Sequence, residues 1–89
     1  MVSADESPLK FPTDYPVKVL GRPSPEFRTR VHAIVLRHVP DTGSDRVSER
    51  LSENGNFLSI SYNLYVERRE QVVALASELS ACELVMMVL

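Results

Sequence analysis

The imidazoles and thiol of this sequence, the side chains most often found as metal ligands or activated nucleophiles, are few: His32, His38 and Cys82. The histidines stand six apart on what reads as one helix, whereas two ligands on a helical face need a spacing of three or four. No metal site is expected. Cys82 is the sole cysteine, with no CxxC partner and no internal disulfide to make. It reads as a small hydrophobe near the start of a strand. Catalysis asks for a nucleophile beside a base, or for paired carboxylates in a dry cleft, and neither pattern occurs. The residues predict a non-enzymatic chain that folds without a cofactor.

One stretch could bind a small anion. In "LGRPSPEF" a glycine lets the backbone approach a ligand, and the helix that follows offers exposed amides to a carboxylate or phosphate. Gly21, Arg22 and Ser24 are therefore candidate ligand-binding residues. A competing reading needs no ligand: Gly21 makes a tight turn and Ser24 caps a helix. Pro25 also removes one donor from such a site.

These positions depend on elements that composition and pattern specify. The 89 residues, 44% hydrophobic and 25% charged, suit one globular domain with one core. A formal net charge of −2 gives no overall attraction to phosphate backbones, so nucleic acid is disfavoured as a partner. No apolar run approaches the roughly 20 residues that span a bilayer, and "MVSADESPLK" lacks the basic and apolar regions of a secretory signal. A cytoplasmic protein is expected.

Residues 1–13, broken by Pro8 and Pro12, predict a flexible N-terminal tail, and 14–89 a single domain. "DYPVKVLG" alternates as a first strand. Ser24 as N-cap, Pro25 at the first helical position and Glu26 near the positive dipole end open a helix. Its apolar stripe is Phe27, Val31, Ile34, Val35 and His38, with Arg28, Arg30 and Arg37 on the outer face, and Pro40 closes it. His38 near the helix C-terminus suits the negative dipole end.

Asn54-Gly55 predicts a β-hairpin closed by a two-residue type I′ turn. That register sets Val47 opposite Tyr62, Glu49 opposite Ile60 and Leu51 opposite Leu58. Glu49 then points inward, as protected edge strands allow. "RREQVVALASELSA" follows with Val72, Leu75, Ala76 and Leu79 on one helical stripe. The chain closes on "LVMMVL", too apolar for a strand with one wet face.

Strand, helix, strand, strand, helix, strand is the order of an α+β, ferredoxin-like βαββαβ sandwich: a four-stranded antiparallel sheet with both helices on one face. The sequence also resembles the small bacterial YbeD-like proteins of unknown function over about residues 11–89. The resemblance rests on "FP", "YPVKVLG" with Pro25 and Glu26, "RHVP", "GNFLSISYN", "EQVVALASELS" and "VMMVL". It implies a fold similar to the regulatory ACT domains, a bacterial cytoplasmic protein and no assigned catalytic residues. Proteins of this kind are often encoded near lipoate-transfer enzymes, an association that carries no mechanism.

The uncovered sheet face would present Arg46, Arg50, Phe57, Ser59, Ser61 and Tyr65 to a partner. It also resembles in position a surface on which single-stranded RNA stacks its bases, although serines stand where stacking aromatics belong. The apolar last strand, with Val85, Met87 and Leu89, is an aggregation hazard unless covered, so homodimerisation is expected there. A tail folded back with Leu9 and Phe11 is the alternative cover. The function that emerges is a dimeric regulatory or adaptor module sensing a small anionic metabolite or engaging a partner enzyme, with single-stranded RNA binding as the alternative.

Overall fold

In the computed structural model, which describes residues 10–89, β1 (Thr13–Gly21), α1 (Pro25–His38), β2 (Val47–Leu51), β3 (Leu58–Val66), α2 (Arg69–Ala81) and β4 (Val85–Val88) follow one another, with a 3-10 turn at Ser44–Arg46 before β2. The strands make one sheet in the order β2-β3-β1-β4, and all neighbours are antiparallel. This is the expected βαββαβ sandwich. Its single core joins Val17, Val19, Leu58, Ile60, Tyr62, Leu64 and Val66 from one sheet face to Phe27, Val31, Ile34, Val35, Leu75 and Leu79 from the helices. Both helices therefore seal the same face, and the even-numbered residues of β1 and odd-numbered residues of β3 lie on the other.

The strand starts earlier than the pattern predicts. Thr13 already pairs with Val66, because β3 is long enough to offer it a rung. Phe11 packs against the core, at the end of β1 away from β4, so it does not cover that strand. Leu9 and the rest of the expected tail lie outside the described residues.

Helix α1 begins as its sequence dictates: the Phe27 amide donates to Ser24 Oγ at 3.0 Å. Loss of that cap costs about 1 kcal/mol in comparable helices. Ser24→Ala is expected to lower the melting temperature by about 4–8 °C, and an unchanged melting curve would show that the cap contributes nothing here. Arg28, expected on the outer face, instead reaches β2 and donates through Nε to both carboxylate oxygens of Glu49 at 3.0 Å. Helix α1 lies close enough to the edge strand for the inward Glu49 to find a cation on it.

The β2–β3 register is the one Asn54-Gly55 predicts, with Val47 opposite Tyr62 and Leu51 opposite Leu58. The turn itself differs. Gly55 alone has positive φ, at 76°, its amide donates to the Ser52 carbonyl at 2.9 Å, and the Ser52 amide donates to the Phe57 carbonyl at 2.8 Å. The Phe57 amide goes to Ser52 Oγ at 3.0 Å. This is a longer loop built on a type I turn, and the Ser52 side chain replaces the backbone acceptor a two-residue turn would have provided.

Strand β4 departs from simple alternation. Val19 pairs with Val88, Leu20 with Met87 and Gly21 with Val85, so a β-bulge leaves Met86 as the extra residue. Val85 and Val88 are half-buried against the core, while Met86 and Met87 are 54% and 50% exposed. Val85, expected outward with Met87 and Leu89, is thus a packing residue on the helix side, and Met86 takes the outward role that strict alternation assigns to Val85.

Candidate functional site

The strand-to-helix corner is filled by the protein itself. A Cβ on Gly21 would lie 2.4 Å from Phe27 Cε1 and 2.7 Å from the Leu84 carbonyl oxygen. What approaches this backbone so closely is the Phe27 ring, itself 1% exposed. The Ser24 hydroxyl is engaged in the cap. Of the three corner candidates, only Arg22 turns outward, and its guanidinium lies 5.5 Å from the centre of the Phe57 ring, a cation–π contact. Phe57 belongs to the open sheet face, so Arg22 joins that surface.

The open face is built in rungs. Leu20, Ser59 and Arg50 are in register across β1, β3 and β2, and Lys18, Ser61 and Ser48 form the next rung. Arg46 crosses the face further along, donating to Asp14 Oδ1 and the Asn63 carbonyl, both at 3.2 Å. The Ser59 hydroxyl donates to the Arg50 carbonyl at 3.3 Å. Met87 flanks Leu20 from β4. Arg46, Arg50, Phe57, Ser59, Ser61 and Tyr65 thus share one surface, as their alternation predicts. Lys18 and Leu20 join them, and the alternation of β1 against Val17 and Val19 places them there.

Phe57 and Tyr65 do not act together. Eight residues along one strand separate them by about 26 Å, and Phe57 is already stacked by Arg22. Consecutive bases could not use both rings.

The remaining reactive side chains have partners of their own. His32 Nδ1 is 3.1 Å from the Tyr62 hydroxyl, and His38 Nε2 is 2.7 Å from Glu78 Oε1. Glu78 also accepts from Arg37, and Gln71 donates to the His38 carbonyl at 2.8 Å, so this cluster ties α1 to α2. Burial first, and the Glu49 carboxylate second, push the Tyr62 hydroxyl up to about 12. Cys82 is buried in the core. A cleft of about 380 Å³ beside Pro40, Thr42, Tyr65 and Gln71 also carries Asp41, Arg46 and Glu67, and the Thr42 hydroxyl there donates to the Val39 carbonyl at 2.9 Å rather than to a carboxylate. Among the described residues no cluster of three metal-binding side chains forms, no buried side-chain polar atom lacks a partner, and no helix is long and apolar enough to cross a membrane.

A four-stranded antiparallel sheet with both helices on one face defines the class: a ferredoxin-like βαββαβ fold. The ACT domain from GTP pyrophosphokinase of Chlorobium tepidum superposes with a TM-score of 0.64 at 12% identity, covering 85% of this chain and 84% of that one. The C-terminal domain of the MgtC protein from Mycobacterium tuberculosis gives 0.58 at 21% identity, over 85% and 82%. At such identities the likeness concerns fold alone. The chain belongs to the family described as "Protein of unknown function (DUF493)", whose model matches residues 6–89. UPF0250 proteins of Hahella chejuensis and Neisseria gonorrhoeae are 35% and 36% identical to it, over 98% and 91% of this chain and 97% and 89% of theirs. The resemblance to YbeD-like proteins read from the residues is thereby confirmed.

Proposed function

We propose that this chain is a non-enzymatic regulatory or adaptor module that acts as a homodimer and engages a partner protein. The observation that carries the reading is the apolar margin of β4. Met86, Met87 and Leu89 are 54%, 50% and 66% exposed on one edge of the sheet, where isolated strands invite pairing. Leu89 exchanges both backbone hydrogen bonds with Lys18, so the polar groups of Val88 point away from β1. A second copy meeting this edge would satisfy them and cover the methionines in one symmetric contact. The filled corner at Gly21 favours a protein partner over a small anionic metabolite, and the separation of Phe57 from Tyr65 disfavours single-stranded RNA.

Sedimentation equilibrium over a range of concentrations tests this. A dimer is expected, and a Met86→Glu/Met87→Glu variant is expected to weaken it at least about 100-fold by setting charges in a desolvated contact. A monomer at every concentration, or a dimer indifferent to both substitutions, rejects the β4 interface.

A further inference from the structure

We propose that the open sheet face docks an acidic protein segment carrying apolar residues beside its carboxylates. This rests on the adaptor reading and names the chemistry of the partner. The surface is basic at the end near Leu20, where Lys18, Arg22 and Arg50 stand, whereas Arg46 at the other end is met by Asp14 and neighboured by Asp45; the whole chain carries −2. On the helices Arg28 is matched by Glu49, Arg30 by Glu26 and Arg37 by Glu78, whereas on the open face, among the described residues, Arg46 alone is in a salt bridge, to Asp14.

Lys18 and Arg50 flank a strip of hydroxyls, Ser48, Ser59 and Ser61, which are in register with them. Their Cα atoms are about 12 Å apart, two strand spacings across and two residues along. Carboxylates four residues apart on an extended segment, or two turns apart on a helix, span about the same distance. The Ser48 and Ser61 hydroxyls between the cations can donate to those carboxylates without blocking their approach, while Ser59 gives its proton to the Arg50 carbonyl.

At one end of the strip the charge gives way to Leu20, Met86 and Met87. Unbranched, polarizable methionine side chains adapt to apolar partners. This margin is what selects a protein segment over a polynucleotide, which offers phosphates but no aliphatic surface, and whose stacking would need aromatics closer together than Phe57 and Tyr65. The charge of the surface argues against a second copy in this position, since two such faces would repel. In the β4-paired dimer Met86 and Met87 are shared with the second copy, and the apolar residues of the docked segment meet Leu20, which stays on the open face.

The test is a heteronuclear NMR titration of the full chain with a synthetic peptide alternating Glu pairs with Leu, beside its Gln/Leu counterpart and an oligouridylate. The expected shifts map to Lys18, Leu20, Ser48, Ser59 and Ser61, affinity falls as salt is added, and Lys18→Glu/Arg50→Glu reduces it at least about tenfold. These side chains are exposed, so the variant should keep its melting temperature, and the salt dependence of the unaltered chain tests the same point without it. Equal binding of the Gln/Leu peptide removes the charge chemistry and overturns this inference while leaving the adaptor reading intact. Shifts confined to the helices, or binding of oligouridylate alone, also overturn it. No peptide binding, together with a melting temperature raised by a panel of small anions, overturns it and replaces the adaptor with a metabolite sensor.

Discussion

Gly21→Ala is expected to destabilise the protein by about 3 kcal/mol, lowering its melting temperature by roughly 12–24 °C. The new Cβ would fall 2.4 Å from Phe27 Cε1, 2.7 Å from Phe27 Cζ and 2.7 Å from the Leu84 carbonyl oxygen. The carbonyl belongs to the approach into β4 and the ring sits in the core at 1% exposure, so neither yields without moving an element. Gly21 has no positive φ, and the cost is entirely one of space. Phe27→Leu should therefore restore part of the loss in the double variant, although it is destabilising alone, because the shortened side chain vacates the overlap. Strict additivity of the two substitutions would mean that the ring is not what the glycine accommodates.

Alkaline pH should weaken the fold through Tyr62. Its hydroxyl is 3.1 Å from His32 Nδ1 on a side chain that is 2% exposed, and burial with the nearby Glu49 raises its pKa from 10.0 to about 12. The folded protein thus holds this proton more tightly than the unfolded chain. The corresponding stability is complete below the unfolded value and is lost as pH rises through the folded one. The shift corresponds to roughly 3 kcal/mol in total, of which about half disappears between pH 9 and pH 11. Urea unfolding at the two pH values, compared with Tyr62→Phe, isolates the effect from the lysines and the other tyrosines. Tyr62→Phe should start less stable, having lost the bond to His32, and should decline more slowly. Parallel declines for the two proteins would rule out Tyr62 as the titrating group.

The fold was largely legible because local and long-range signals agree in this chain. Ser24 and Pro25 start α1, alternation in β3 gives the buried face, and Asn54-Gly55 sets the hairpin register even though Ser52 closes the loop differently. The open-face residues followed from the same alternation. Contacts between elements distant in sequence were not legible. Nothing near Gly21 announces that Phe27 will lie beneath it, since that requires knowing how α1 folds back over the strand. The pairings of Arg28 with Glu49 and of His32 with Tyr62 have the same origin. Met86 was hidden by the bulge opposite Gly21, which shifts the alternation by one residue and turns Val85 inward.

The two borders of the sheet are unlike, and that difference limits how far copies can assemble. In the proposed pair the β4 borders are consumed and both β2 borders face outward, each with Glu49 near its middle. Bringing two β2 borders together centred on Glu49 would set the carboxylates against one another, which discourages growth into a ribbon. On β1, the stretch before Lys18 offers Pro16, which has no amide hydrogen to template an incoming strand. In the proposed pair association would stop at two, and the sticky apolar margin of β4 would be covered without seeding fibres.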